Sequence, residues 1–358
     1  MKALVLKNVG QLNIEDTKNP APERGEVLVK VGACGICGSD IPRAYKDGAH
    51  NMPLIIGHEF AGTVKAVGDC VDNSWQNKKV GVFPLIPCNK CQCCLDKKYE
   101  MCKAYSYLGS RRDGGFAEYV TVPEWNLIEL PGTITMEQAA MLEPMAVAVH
   151  GIRQVMGREM IDGEAKSIDR NSNIVVMGLG TIGLFVTMFL KDMGFKNVFT
   201  VGNKAFQRSK VMELGIPESN FCDSKTTDVR KWINANTNDA GADIFFECVG
   251  TKESLITGID SAAPSGKVCT VGNPHSDMDI PRDTYWKILR NQLTLTGTWN
   301  SSYTHESSDD WHYVIDRLNQ GKINPEKLIT HKFDLDNIID GFEIMRDKSQ
   351  EYIKIMMT

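Results

Sequence analysis

Along the first third of the chain, apolar and polar residues alternate in short runs, EVLVKVGACG, FAGTVKAVG and GGFAEYVTV, punctuated by glycine and proline. Period-two alternation of this length predicts half-buried strands, and their number predicts a barrel-like all-β domain from Met1 to about Gly151. The texture changes near Met136: TMEQAAMLEPMAVAVHGIRQVM, Thr135 to Met156, is rich in alanine, methionine and leucine and predicts a helix. After a polar stretch, REMIDGEAKSIDRNSN, strand and helix signals alternate: NIVVMG, a helix from Ile182, NVFTVG, a helix from Ala205, DIFFECVG and GKVCTVG. This βαβ alternation predicts a parallel, doubly wound sheet, with LTLTGTW, Leu293 to Trp299, as its last strand. The remainder mixes helix and strand signals and ends in YIKIMM.

Composition narrows the class. A chain of 358 residues exceeds one core and predicts two domains. Its apolar runs are strand-sized, which predicts no membrane span. The N-terminus, MKALVLKNVGQLNIED, turns acidic at once and lacks the apolar core of a signal peptide, so a cytoplasmic protein is expected. Thiols stay reduced there, and clustered cysteines then read as metal ligands before disulfides. A net charge of −5 gives no electrostatic reason to bind nucleic acid and points to a small-molecule partner.

Gly178-Leu179-Gly180-Thr181-Ile182-Gly183 follows a predicted strand and opens a predicted helix. In that setting the first glycine permits the tight turn, the second lets the backbone approach a pyrophosphate, and the third lets helix pack on strand. The helix N-terminus faces the negative charge, which predicts a dinucleotide cofactor. NAD sites end the next strand in a carboxylate that holds the adenosine ribose. Here that place carries Gly202, followed by Asn203 and Lys204, with Arg208 one turn into the next helix. No carboxylate is left to repel a 2′-phosphate, and the polar residues can bind one, so NADP is favoured over NAD. The bland alternative makes them solvated surface.

Cys88, Cys91, Cys94 and Cys102 form C-x2-C-x2-C-x7-C. Four thiolates close a tetrahedral shell with no position for water, the pattern of a structural zinc; Cys93 is left out as a spare thiol. Disulfides, an iron–sulfur cluster and a nucleic-acid-binding zinc ribbon are the rival readings. Cys37, His58 and Glu59, with Glu143 further on, are the residue types of an open, catalytic zinc.

CGICGSD, GHEFAG, the four-cysteine lobe, DGGFAEY, LEP and GLGTIG stand in the order of the zinc-dependent medium-chain dehydrogenases, the alcohol and polyol dehydrogenase superfamily, which the chain resembles from end to end. The resemblance implies a GroES-like β-barrel catalytic domain, residues 1–150 with a zinc lobe at about 87–103, completed by a C-terminal return at 298–358. Between them it implies a Rossmann dinucleotide-binding domain at 151–297, with the reaction in the cleft. It makes Cys37 and His58 ligands of a catalytic zinc, with Glu59, Glu143 or the two in turn as the carboxylate, and the four cysteines ligands of a second, structural zinc. Ser39 becomes the proton relay, and hydride passes between a secondary alcohol and the nicotinamide.

CGSDIPRAYKDGAH, GSRRDGGFAEY and KILRNQLTLTGTW most resemble an enzyme of phosphorylated polyols. Pro42 stands where relatives often carry a histidine relay, and Arg43 where polyol enzymes often carry tyrosine. The arginine suits a phosphate, as do Arg111 and Arg112, with Lys287 and Arg290 further candidates. A homodimer or homotetramer is implied. The alternatives are an unphosphorylated substrate, such as sorbitol or a simple secondary alcohol, and a non-catalytic zinc and nucleotide-binding relative.

Overall fold

The computed structural model describes residues 1–157, 169–274 and 276–358; most of the polar stretch from Arg158 to Asn173 lies outside them. The chain divides into two compact units, Met1–Pro144 with Ser302–Thr358, and Met145–Ser301. The divisions expected from sequence were 150/151 and 297/298. Among the described residues, no helix is long and apolar enough to cross a membrane.

The first unit is built on strand Glu26–Gly35, which pairs antiparallel with Glu59–Val67, Tyr119–Pro123 and the C-terminal strand Lys354–Met357. Its inward side chains, Val27 and Val29, join Phe60, Val64, Phe116 and Ile355 in a core sealed from water. Burying such side chains is worth roughly 1.5–3 kcal/mol each, and this fixes the register, because a one-residue slip would expose the whole face. The C-terminal return is therefore an integral strand: Met356 pairs with Gly35, and Ile36 N–H donates to Ile355 O at 2.9 Å.

The second unit is a six-stranded sheet in the order Phe221–Asp223, Val198–Gly202, Ile174–Met177, Ala242–Glu247, Ala262–Thr270, Thr294–Gly297. Every pairing is parallel, and numbered along the chain the order is 3-2-1-4-5-6, the doubly wound arrangement. Its central strands are sealed on both faces, as Ile174, Val175, Val176, Phe245 and Phe246 show.

The helix expected over Thr135 to Met156 is two helices, Met136–Ala140 and Leu142–Met156. Thr135 opens the first with a capping box to Gln138. Met141 N–H bonds back to Gln138 O, a tightened last turn. Pro144 then lacks the N–H that would continue the ladder to Ala140, so the helix restarts instead of running through.

Candidate metal centres and nucleotide site

Strand pairing assembles the first cluster. Gly35 is the register partner of Glu59, which sets Cys37, two residues on, beside His58 and Glu59. Ligand atoms of Cys37, His58 and Glu59 all lie within 4.8 Å of one another, with His58 and Glu59 buried. Gly57 makes the approach possible. Its φ of +103° is left-handed, and a Cβ there would meet Phe116 at 2.5 Å.

Asp40, fully buried, organises this corner. Its Oδ2 accepts the Cys37 N–H at 3.1 Å, its Oδ1 pairs with Arg43, and Oδ1 lies 3.4 Å from His58 Nδ1. That last contact is not aligned as a hydrogen bond, and Nδ1 is otherwise without a partner. Burial alone would lower the His58 pKa, but the charges of Asp40 and Cys37 outweigh it and hold it well above its ordinary value. Burial likewise tends to raise Asp40, yet His58 and Arg43 draw it below its usual range. Ser39 Oγ donates to Cys37 Sγ at 3.3 Å.

The two glutamates occupy different settings. Glu59 Oε2 accepts from Lys354 Nζ at 2.5 Å, both side chains buried, and Lys354 also donates to Ile36 O at 3.1 Å. Burial opposes the lysine's charge, but Glu59 more than restores it and the pKa is raised. Gly35 leaves the carboxylate its room, since a Cβ there would sit 2.3 Å from Glu59 Oε2. Glu143 stands apart from the three-residue cluster and accepts from Tyr107 Oη at 3.2 Å. Burial, only partly offset by His58, pushes it up to about 7. The Tyr107 ring packs edge-on to His58 at 5.8 Å.

Cys88, Cys91, Cys94 and Cys102 form the second cluster, without Cys93. Three of their Sγ···Sγ separations are 3.9, 3.6 and 4.0 Å. A tetrahedron with metal–sulfur bonds of about 2.3 Å has edges of roughly 3.8 Å, so the quartet already has the size of a zinc shell. Backbone N–H groups of Lys103 and Cys94 draw Cys91 down to about 6, which favours thiolate, whereas burial pushes Cys94 up to about 12. A cation at the centre satisfies both sulfurs.

In the second unit, helix Thr181–Asp192 starts at Gly180 with no side-chain cap. Gly178 has φ +98°, and a Cβ at Gly183 would meet Gly178 O at 1.9 Å, while one at Gly180 would meet nothing within 4 Å. Turn, close packing and open approach fall on the first, third and second glycines, so the loop with Thr181 and Ile182 fits a pyrophosphate. Gly202 ends the neighbouring strand, followed by exposed Asn203 and half-buried Lys204. Arg208 is turned to an exposed pair with Glu218.

Comparison with known proteins identifies the family. The alcohol dehydrogenase GroES-like domain matches residues 23–132, and the zinc-binding dehydrogenase domain matches 181–320. Galactitol 1-phosphate 5-dehydrogenase of Escherichia coli (strain K12) is 31% identical over 337 residues, covering 93% of this chain and 92% of the relative. The chain belongs to the zinc-dependent alcohol and polyol dehydrogenases. A zinc-binding dehydrogenase from Sinorhizobium meliloti 1021, solved bound to NADP, is 26% identical with a TM-score of 0.88, covering 99% of this chain and 98% of that one. An alcohol dehydrogenase from Escherichia coli CFT073, solved with NADH, is 28% identical with a TM-score of 0.87, covering 100% and 99%.

The phosphate-binding candidates of this dehydrogenase part company. Arg43 is held by Asp40. Arg112 is engaged by the buried Glu26 carboxylate and by Thr121. Lys287 pairs with Asp260, and Arg290 lies over Trp286. Arg111 stacks on Tyr105 at 4.6 Å, and Tyr105 adjoins Tyr107; among the described residues no carboxylate pairs with Arg111. Asp40, Tyr107 and Lys354 were missed as site residues. A polar residue in the turn after Cys37 was a usable signal for Asp40; for Lys354, over 290 residues from Glu59, there was none.

Proposed function

We propose that this dehydrogenase interconverts the secondary alcohol of a polyol phosphate and its ketone, galactitol 1-phosphate to tagatose 6-phosphate, with NADP favoured over NAD. The observation that carries the substrate reading is Arg111, a guanidinium without a carboxylate among the described residues, stacked on Tyr105, whose neighbour Tyr107 touches His58 and Glu143. A planar fork of donors suits a phosphate, whose contacts would orient the reacting carbon from a distance.

Cys37, His58 and Glu59 would hold the catalytic zinc, with Glu143 in reserve, and Cys88, Cys91, Cys94 and Cys102 a structural one. When bound, zinc in the open site would supply a Lewis acid for the substrate hydroxyl and the nicotinamide cofactor would supply the hydride chemistry. Asp40, with Oδ1 3.4 Å from His58 Nδ1, would balance positive charge on that ring. Lys354 fixes the Glu59 carboxylate by holding Oε2, and Ser39, beside Cys37 Sγ, hands the hydroxyl proton outward.

A coupled assay of polyols and polyol phosphates with both cofactors tests the reading. Turnover is expected with the phosphorylated polyol, and Arg111→Ala raises its KM about tenfold or more, at the 1.5–3 kcal/mol of a hydrogen bond to a charged group. Equal turnover of the free polyol, or an unchanged KM, contradicts it. Eleven cysteines without a disulfide support a cytoplasmic setting.

Assembly is proposed through the open edge Thr294–Gly297, where Leu295, Trp299, Tyr285, Trp286 and Leu289 are each 40–57% exposed. The protein then sediments as a dimer or tetramer and Leu295→Lys as a smaller species; a wild-type monomer rejects this.

A further inference from the structure

The end of strand Val198–Gly202 holds an unexpected side chain. A Cβ at Gly202 would find Gln207 Oε1 at 2.7 Å as its nearest neighbour. The carboxamide of Gln207, on the following helix, thus fills the space that a side chain at 202 would take. It is clamped there from two sides. Oε1 accepts the Asn203 N–H at 2.9 Å, and Nε2 donates to Leu179 O, inside the glycine turn, at 3.2 Å. One neutral amide therefore ties the phosphate-binding turn to the strand end where nicotinamide dinucleotides have their adenosine ribose read.

Its bonds leave one group over. An amide nitrogen carries two hydrogens, and only one is used on Leu179. Of the nearby charges, Arg208 pairs with Glu218, Asp223, the register partner of Gly202, accepts the Lys225 N–H at 2.9 Å, and Lys204 stands half-buried beside Asn203. We infer that Gln207 is the specificity-determining residue of the cofactor site, replacing the ribose-binding carboxylate with a neutral amide whose free N–H donates to a 2′-phosphate. The inference rests on reading this strand end as the ribose site. A carboxylate in its place would bring a negative charge to the phosphate while remaining able to accept from ribose hydroxyls.

The test is the dissociation constant of NADP and of NAD, each measured by calorimetry on the zinc-loaded wild type, Gln207→Glu and Gln207→Ala, without substrate. Gln207→Glu, which also loses the donor to Leu179 O, is expected to weaken NADP at least tenfold more than it weakens NAD. Gln207→Ala is expected to weaken NADP more than NAD. Equal weakening of both cofactors by Gln207→Glu would show a purely structural clamp and overturn the inference, as would unchanged NADP binding. The wild-type ratio of the two constants tests the preference for NADP separately, because the selective effect of Gln207→Glu does not depend on which cofactor the wild type prefers.

Discussion

His58→Asn, or Cys37→Ala, is expected to remove turnover while the protein keeps its fold and one zinc per chain. Both residues belong to the sparse cluster, and each supplies a ligand atom within 4.8 Å of the others. Losing one leaves too few donors to retain an ion in an open site. A Lewis acid contributes several kcal/mol of charge stabilisation, so kcat falls by roughly 10³-fold or more at about 1.4 kcal/mol per decade. Asp40 remains paired with Arg43 in His58→Asn, and so the buried carboxylate is not left alone. Turnover within tenfold of wild type in either variant would reject the cluster as the reactive centre.

Cys94→Ser is expected to do the opposite, costing stability and sparing chemistry. The lobe from Cys88 to Cys102 holds only two short helical turns, Gln92–Leu95 and Tyr99–Met101, and little core of its own. Metal binding there would supply its folding energy. Loss of about 4 kcal/mol, at 2–4 °C per kcal/mol in a domain of this size, lowers Tm by about 10 °C. The folded fraction keeps kcat within a few-fold. A large drop in kcat at unchanged Tm would show that the cysteine-dense segment takes part in the reaction.

Legibility in the sequence followed the range of the interaction. The glycine turn is local: six residues set its backbone and its approach, and the structure puts turn, opening and close packing on the expected glycines. The four cysteines are likewise close in sequence, and their sulfurs meet at zinc-sized distances. The parallel sheet was legible because strand and helix periods alternate. The helix break at Met141 was not, because alanine, methionine and leucine favour helix on both sides and only Pro144 opposes it.

Long-range chemistry was hidden. Lys354 lies in an apolar run that reads only as a strand, and its role appears when that strand pairs with Glu26–Gly35 and brings the ammonium to Glu59. Arg43, Arg111 and Arg112 are indistinguishable as letters. Their partners, Asp40, Tyr105 and Glu26, separate them, and two of those partners are carboxylates that already hold the charge.

The most direct test of the division between a sparse reactive site and a dense structural one is to count zinc by native mass spectrometry while a chelator strips the protein, with turnover and the thermal transition followed on the same samples. Two ions per chain are expected at the start, turnover falling in step with the first and Tm with the second. Turnover that persists at one zinc per chain and ends only as Tm collapses would contradict it.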